Sequence, residues 1–405
     1  MAASERLAQR GRRLTRLLYL TPGCFDKGGI SRYSRYQIEA LRQLLGAENV
    51  RVLSLLGPDV DDFEAPFEVD WHSAARPGRI GLSDRVALAS RMIATAAVWK
   101  PDVAHAAHVN FTPLLSAAVR VSGARTLLNV YGLEVWSGLN AARRLHLARV
   151  GQLISDCHFT AEYVADAGLH RGPTTVIWDP VDLARFSPGA IARSVVAKYR
   201  LPDPAQYKLI VSLGRLAKAA AHKGFDRLIE TAASLRDEVP EARFVIAGRG
   251  DDRPRLEGLV ASYNLQERVH FAGPIDEADL PDLYRLAYAF SLVSDRGPGR
   301  GEGIPLTPLE AMACGVPIVV GDEDGSREAV IDGRNGYIVS PRNSSDHRNA
   351  LLRLARDPGL RQRLSKGARQ VAEEHFSFEG FLEKHRRLLA GIAGAGPGSR
   401  RPEAA

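Results

Sequence analysis

Short apolar segments alternate with amphipathic stretches along most of the chain. An apolar run at 17–20 leads into a glycine-bearing loop, and the helical pattern after it places Ile30, Tyr33 and Leu41 on one face. A second apolar run at 50–56 follows this helix. Strand, loop, helix and strand in this order predict a parallel pair of strands joined by a crossover helix.

The same alternation continues in two series. In the first, further strands are predicted at 102–107, 126–131, 152–156 and 174–178, with helices near 112–121 and from Thr160. A proline-bearing segment at 179–189 then interrupts the pattern. In the second series, strands are predicted at 207–214, 242–248, 268–273, 288–294 and 317–322, with helices at 225–235, from Arg253, near 279–287 and from about 343 onward. Two such series predict an α/β chain with two doubly wound parallel-sheet domains facing a cleft.

Composition narrows the class of protein. Of 405 residues, 45% are hydrophobic and 25% are charged, which excludes a mainly disordered chain and a coiled coil. The net charge of +7 is mild, and residues 1–16 carry much of it, with five arginines against Glu5. This basic tail favours a frayed, solvated segment, and weak contact with anionic lipid is the alternative. No recognised nucleic-acid-binding module accompanies the charge, so nucleic acid is not an expected partner.

The cysteines and the apolar runs bear on the compartment. Cys24, Cys157 and Cys314 are far apart and odd in number, and no cysteine or histidine spacing typical of zinc occurs. No signal peptide and no run of 18 apolar residues is found. We therefore expect a reducing, cytoplasmic location, with the inner face of the membrane as a variant of it.

The most informative stretch is GEGIPLTPLEAMACGVPIVVGD, at 301–322, in which Glu302 and Glu310 are separated by seven residues. Thr307 and Pro308 resemble a helix start, so Glu310 has a structural explanation as the far side of a capping box. Glu302 follows a glycine-rich run and could equally be a solvated surface acid. The helix start would also offer free N–H groups to an anion.

Two further segments could bind phosphate. Arg215 follows a predicted strand and Lys223 precedes the next helix, so the two cations could clamp a diphosphate; a solvated, alanine-rich loop is the alternative. Gly28 and Gly29 lie at a strand-to-helix turn, where glycine permits close approach of a phosphate or sugar, although a tight turn explains them equally well. The GRGDD segment at 248–252 lacks the full dinucleotide fingerprint.

Taken together, these segments resemble the retaining, nucleotide-sugar-dependent glycosyltransferases of family four, which have the GT-B fold. The matching segments are GGI, GR…KGFDRLIE, FVIAGRGDD, VHFAGPI and EGIPLTPLEAMACGVPIV with its E-x7-E spacing. They occur in family order over roughly residues 17–390. The last segment is fairly specific, and the others carry weight through their order.

The resemblance implies a role for each matching position on the donor side. The expected catalytic residues are Glu302, Arg215 and Lys223. The expected donor-phosphate contacts are Arg215, Lys223, Gly28, Gly29, Leu306 and Thr307, and those of the donor sugar are Glu302, Gly303 and Ile304. Glu310 is expected at the ribose, and Gly248, Arg249, Pro274 and Ile275 are expected near the base. No metal and no cofactor is expected, because the two cations would replace a metal.

On the acceptor side the sequence departs from the family. In the segment YGLEVW, Tyr131 stands where family members commonly carry a histidine, and Glu134 follows in the family's position. A tyrosine donates a hydrogen bond but is not protonated near neutral pH. His108 is the histidine expected to line the acceptor pocket, with a packed or solvated side chain as the alternative.

The resemblance also implies a domain plan and a reaction. The plan has a basic tail at 1–16, an N-terminal Rossmann-like acceptor domain at 17–185, a C-terminal Rossmann-like donor domain at 186–375, a helix crossing back to the first domain at 376–390, and a disordered tail at 391–405. The expected reaction moves a hexose-type sugar, with retention, from a UDP- or GDP-sugar to a hydroxyl of a glycan, lipid-linked saccharide or small glycoside. The change at Tyr131 motivates an alternative, a catalytically silent nucleotide-sugar-binding or assembly subunit.

Overall fold

The computed structural model describes residues 14–58, 66–76 and 78–394. The first sheet contains β1 (Leu17–Thr21), β2 (Val50–Ser54), β3 (Trp71–His72), β4 (Val103–Ala106), β5 (Arg125–Val130), β6 (Gln152–Ser155) and β7 (Thr174–Val176). The second contains β8 (Lys208–Leu213), β9 (Ala242–Ala247), β10 (Val269–Gly273), β11 (Ala289–Leu292), β12 (Ile318–Gly321) and β13 (Gly336–Val339). The prediction of an α/β chain with two sheets of the GT-B type is confirmed.

Helices cover both faces of each sheet. In the first half of the chain they are α1 (Gly29–Leu45), α2 (Leu82–Trp99), α3 (Thr112–Ser122), α4 (Leu133–Trp136), α5 (Ala141–Leu147), α6 (His158–Asp166) and α7 (Arg193–Lys198). In the second half they are α8 (Phe225–Ser234), α9 (Arg253–Ser262), α10 (Leu280–Arg285), α11 (Leu306–Ala313), α12 (Ser344–Arg356), α13 (Pro358–His375) and α14 (Phe378–Gly394). Short 3₁₀ helices occupy Ala47–Asn49, Val109–Phe111, Lys218–Lys223, Glu277–Asp279 and Gly325–Ala329.

All paired strands are parallel, in the orders β3-β2-β1-β4-β5-β6-β7 and β10-β9-β8-β11-β12-β13. Alternate residues of one strand enter different cores, since Leu17 and Tyr19 pack on one face of the first sheet while Leu18 and Leu20 pack on the other. Burial on both faces explains why the strands are continuous apolar runs in the sequence. The strands β3 and β13 and the helices α2, α4, α5 and α7 were not predicted.

The segment after β7 joins the two domains. Val181 and Phe186 are buried in a core of the second domain, and the backbone N–H of Val181 donates to the carbonyl of Phe376. At the end of the chain, α14 packs against α1 of the first domain. His385 of α14 bonds Gln37 across 2.9 Å inside a buried polar network. The helix continues to Gly394, so the prediction of a disordered tail from 391 is wrong for its first four residues, and 395–405 lie outside the described residues.

Other expectations concern the termini and the cysteines. The basic tail lies outside the described residues as far as residue 13. Cys24, Cys157 and Cys314 are all free and buried. Within the described part of the chain, no helix combines the length and apolar character needed to cross a membrane.

A buried imidazole in the second domain makes stability depend on pH. The two ring nitrogens of His347 form hydrogen bonds with the hydroxyls of Ser291 and Thr231, at 2.8 and 3.1 Å. Burial together with nearby Arg227 lowers the pKa of His347 to about 3. In the unfolded chain the pKa of this histidine is near 6.5. As the pH falls from 6.5 towards 3, the unfolded state therefore binds a proton that the native state does not, and the free energy of unfolding falls.

We therefore expect the free energy of unfolding of the His347→Gln variant to fall less on acidification than that of the natural protein. The difference between pH 6.5 and 4.5 should be about 2 kcal/mol. Urea unfolding of both proteins at the two pH values measures it, and equal losses in both would show that His347 is not the group responsible.

Candidate active site

The two sheets bring their switch points to the same cleft. In each sheet the strand order reverses beside the first strand of its domain, between β1 and β4 and between β8 and β11. Ligands of doubly wound sheets bind at the carboxyl ends of the strands at this point. Gly28–Gly29 follow β1, His108 follows β4, Arg215 follows β8 and Glu302 follows β11. The topology thus collects these predicted residues around the cleft.

Arg215 and Lys223 lie together at the end of β8. The segment between them contains the 3₁₀ helix Lys218–Lys223, in which Ala220 and His222 are buried, so it is an ordered turn rather than a solvated loop. The Lys223 side chain returns across Gly214, where an added Cβ would lie 3.0 Å from its Cδ. Arg215 is exposed and lines the cleft, and none of the described side chains pairs with it.

Glu302 is held by hydrogen bonds from two neighbouring side chains. Its Oε1 accepts from Lys223 Nζ at 2.5 Å and from His222 Nε2 at 2.8 Å. Burial alone would raise the pKa of Glu302, but the charge of Lys223 and the His222 hydrogen bond lower it to about 2. Glu302 is therefore ionised at neutral pH. Among the described residues no donor engages Oε2, which remains available to a hydroxyl-rich ligand.

The backbone around Glu302 is fastened on both sides of the cleft. The Glu302 N–H donates to Asp324 Oδ2 at 2.9 Å within the second domain, and the Ile304 N–H donates to Asp156 Oδ2 of the first domain at 3.4 Å. Between them, a Cβ on Gly303 would collide with Asp156 Oδ2 and with the carbonyl oxygen of Tyr131. Gly303 is thus required by the close approach of the two domains.

The sequence prediction of a capping box at Thr307 is wrong. Helix α11 begins at Leu306 with Pro305 as its N-cap, so Thr307 lies inside the first turn and its side chain caps nothing. Glu310 instead accepts from Arg32 Nη1 across the cleft and from the Tyr284 hydroxyl at 2.7 Å. Helix α11 has no side-chain cap. The backbone N–H groups of Leu306 and Thr307 therefore have no partner inside the helix, as is usual for first-turn residues.

The ion pair between Arg32 and Glu310 links the two domains. Burial would lower the pKa of Arg32, but the carboxylates of Glu310 and Glu277 raise it above its ordinary value. Glu277 Oε2 lies 3.9 Å from Arg32 Nη2. The predicted ribose ligand Glu310 therefore already shares its carboxylate with an arginine from α1, which follows the Gly28–Gly29 turn.

The positions expected near the base follow β9 and β10. Gly248 and Arg249 come directly after β9, and Pro274 and Ile275 directly after β10. Gly248 has a φ of +131°, and a Cβ there would overlap the carbonyl oxygen of Gly214. The close packing of the ends of β8 and β9 beside Arg215 thus explains why position 248 is a glycine, independently of any ligand.

The residues predicted on the acceptor side lie in two different places. His108 lines a cavity of about 720 Å³ that Arg215 also borders, whereas Tyr131 and Glu134 are not part of its described wall. Tyr131 OH accepts from Asn129 Nδ2 at 2.9 Å, and Glu134 accepts from the Tyr131 N–H at 2.5 Å. Burial raises the pKa of both side chains. These two residues therefore fix the turn beside Gly303.

The state of His108 follows from its hydrogen bond. Its Nδ1 accepts from the backbone N–H of Asn110 at 3.1 Å, and burial together with Arg143 lowers its pKa to about 4. At neutral pH the imidazole is therefore uncharged and carries its proton on Nε2. His108 can donate a hydrogen bond to a ligand in the cavity.

Comparisons with known proteins identify the family of this chain. Residues 27–185 match the profile described as Glycosyltransferase Family 4, and residues 198–371 match Glycosyl transferases group 1. A GDP-mannose-dependent alpha-(1-6)-phosphatidylinositol monomannoside mannosyltransferase of Mycolicibacterium smegmatis is 30% identical over 69% of this chain and 73% of its own length. The chain belongs to glycosyltransferase family 4.

Other similar proteins extend the comparison. The D-inositol 3-phosphate glycosyltransferase of Salinispora arenicola is 35% identical to this family 4 protein over 67% of the chain and 64% of its own length. Anabaena HepE in complex with UDP superposes with a TM-score of 0.75 at 17% identity, over 93% of this chain and all of that one. Sucrose-phosphate synthase from Thermosynechococcus elongatus gives 0.74 at 22% identity, over 94% and 100% of the two chains. At these identities the solved structures establish the GT-B fold alone.

In this family 4 chain, the loop that carries Glu302 is also anchored to the first domain through Arg296. The Arg296 guanidinium lies 5.2, 5.0 and 5.0 Å from the ring centres of Trp136, Phe159 and Tyr163. Near the same seam, Glu328 accepts from the backbone N–H groups of His158 and Phe159 at the start of α6, both at 2.8 Å. The two domains are therefore joined by specific polar and cation–π contacts around the site.

Sequence reasoning missed several residues of this candidate site, namely Arg32, His222, Asp324, Asp156 and Arg296. Only His222 had a local signal, because it adjoins Lys223 in the sequence. Within the described ranges no group of three or more histidine, cysteine, aspartate and glutamate side chains is arranged to hold a metal ion.

Proposed function

We propose that this family 4 glycosyltransferase moves a hexose-type sugar from a UDP- or GDP-sugar to a hydroxyl group, with retention at the anomeric carbon. The observation that carries the proposal is the placement of Arg215, Lys223 and Glu302 at the switch point of the second sheet. Two relatives point to the donor class by their names, one GDP-mannose-dependent and one solved with UDP.

The two cations act on the leaving group. Lys223 uses one of its ammonium protons on Glu302 and keeps the others for a diphosphate, and Arg215 offers a planar fork to the same group. Cleavage of the bond between the anomeric carbon and the phosphate oxygen leaves charge on the diphosphate. Positive groups already aimed at that charge stabilise the transition state by several kcal/mol, about 3–4 for a single good donor.

In the proposed reaction, the acceptor oxygen forms its bond to the anomeric carbon on the face from which the diphosphate departs. The proton of the acceptor hydroxyl passes to an oxygen of the leaving diphosphate. His108, with its proton on Nε2, donates a hydrogen bond to the acceptor and removes no proton. No metal or cofactor enters this proposal, because Arg215 and Lys223 supply the charge.

Glu302 positions the donor sugar. Its carboxylate is ionised and its Oε2 accepts hydrogen bonds from sugar hydroxyls, while Lys223 keeps the net charge near the diphosphate positive. A carboxylate whose pKa is lowered to about 2 is a weak base and a weak nucleophile, so a covalent glycosyl–Glu302 intermediate is disfavoured. Glu310, on the helix that follows, faces the ribose.

A thermal-shift panel of nucleoside diphosphates and their sugars tests the donor proposal. A ligand at about a hundred times its Kd stabilises the native state by about 2.7 kcal/mol, so the correct nucleotide will raise Tm while other nucleotides leave it unchanged. Incubation of that sugar nucleotide with hydroxyl acceptors, followed by NMR of the anomeric proton, then tests retention. Binding with neither transfer nor donor hydrolysis would favour the silent nucleotide-sugar-binding subunit, and an inverted product would refute the retaining mechanism.

A further inference from the structure

The cavity beside Arg215 has two chemically different sides. It occupies about 720 Å³ at the carboxyl end of the first sheet. On its polar side lie Asp26, Ser31, His108 and Asn110. Asp26 accepts from the Gly28 N–H at 3.1 Å and from the Ser31 hydroxyl, so it shapes the glycine turn that faces the second domain.

The remaining wall is formed largely by apolar side chains from the segment after β2, from α2 and the loop before it, and from the 3₁₀ helix and first turn that begin α3. They are Leu55, Leu56, Ile80, Leu88, Phe111 and Leu114. Leu55, Leu88 and Phe111 are buried, which gives this wall a firm base, while Leu56 and Leu114 are half-buried and face the space. Arg85, on the same helix as Leu88, is the charged residue that this helix adds to the cavity.

A bare sugar would be a poor occupant of this wall. Each hydroxyl placed against apolar side chains loses its hydrogen bonds to water and gains none, which costs free energy. An alkyl or aromatic group in the same place gains from burial, about fourfold in affinity for each methylene. The cavity is also large, within the range that holds drug-sized ligands, and so has room for a polar head together with an apolar group.

We propose that the acceptor of this enzyme carries an apolar aglycone, with its reactive hydroxyl held by the polar side near Arg215 and its apolar group packed on the Leu56–Leu114 wall. The proposal rests on the function proposed above. Outside the cavity, α2 also exposes Leu82 and Val86, which are 78% and 56% exposed and lie one helical turn apart.

Matched glycosides test the apolar side directly. Octyl, phenyl and methyl glycosides of glucose, mannose and galactose, used below the micelle concentration, are compared by saturation-transfer NMR with and without the nucleotide from the thermal-shift panel. We expect octyl or phenyl glycosides to bind at least tenfold more tightly than the methyl glycoside of the same sugar, with saturation strongest on the apolar protons. The phenyl series tells an aromatic group from an alkyl chain. Equal binding across each series, or binding of none, would overturn the proposal.

Variants locate the effect. Leu56→Asn and Leu114→Asn should each reduce the octyl preference at least fivefold, whereas Val98→Asn, on an 85%-exposed position of α2 away from the cavity wall, should leave it unchanged. A preference that survives both wall variants would show that the apolar group binds elsewhere and would overturn the assignment. The nucleotide thermal shift is read on the same samples. Its absence in the natural protein counts against the proposed donor site, while its presence with no octyl preference counts against the acceptor class alone.

Discussion

Exchange of Lys223 for methionine is expected to lower the rate of sugar transfer about a hundred- to a thousandfold, the loss typical of a donor that stabilises developing charge. Methionine keeps the length of the side chain that passes over Gly214 but removes the ammonium that faces Glu302 at 2.5 Å. The Glu302→Gln variant should lose transfer to a similar degree, because an amide adds a donor where the sugar hydroxyls and Lys223 need an acceptor. Steady-state kinetics with the donor identified by thermal shift measures both effects.

The double variant separates chemistry from folding. Either single change leaves one member of a buried ion pair without its partner, which destabilises a protein by about 3–5 kcal/mol when burial is complete. Combining Lys223→Met with Glu302→Gln removes both charges, so we expect stability in urea to recover while transfer stays low. Recovery of transfer in the double variant would contradict the roles assigned to both residues.

The Gly303→Ala variant is expected to lose about a hundredfold in kcat/KM, the scale associated with a displacement of about 1 Å at a reacting centre. The new methyl would strike Asp156 Oδ2 and the main-chain oxygen of Tyr131, both in the first domain. The side chain of Asp156 can turn aside, but a carbonyl oxygen at the end of β5 moves only with its strand. The loop with Glu302 must therefore shift away from the cleft.

Gly297→Ala is the matched control in the same loop. There the added Cβ would meet only the end of the Arg300 side chain, which is flexible and can move. We expect its kcat/KM to stay within about twofold of the natural protein, since surface changes away from packed features have small effects. Equal activity of the two alanine variants would show that the contact between the domains at Gly303 does not position Glu302.

The proposed acceptor pocket and the proposed donor site are built by different domains. The proposed donor residues Arg215, Lys223 and Glu302 lie on loops of the second sheet, whereas the apolar wall belongs to the first domain, mainly to α2, α3 and the segment after β2. The contacts of Arg32 with Glu310 and of Arg296 with three aromatic rings join these halves. We therefore expect substitutions in the apolar wall to change acceptor preference while leaving in place the cations proposed to bind the donor.

Local patterns carried the prediction of the architecture. Apolar runs such as 17–20 and 207–214 mark strands buried on both faces, and their alternation with amphipathic helices specifies two parallel sheets. The sheet order then places strand ends, and with them Arg215 and Glu302, at the switch points. The family resemblance added the roles of these residues, which no periodicity contains.

Only the tertiary structure reveals the contacts that site residues make with residues from distant parts of the chain. Glu310 looked like a capping residue because Thr307 and Pro308 precede it, yet Arg32, 278 positions earlier, holds its carboxylate. Asp156 and Arg296 meet the other domain only when the two sheets face each other. A sequence determines local backbone preference and burial through neighbouring residues, whereas the contacts that tune a pKa or hold a loop depend on distances set by the packing of both domains.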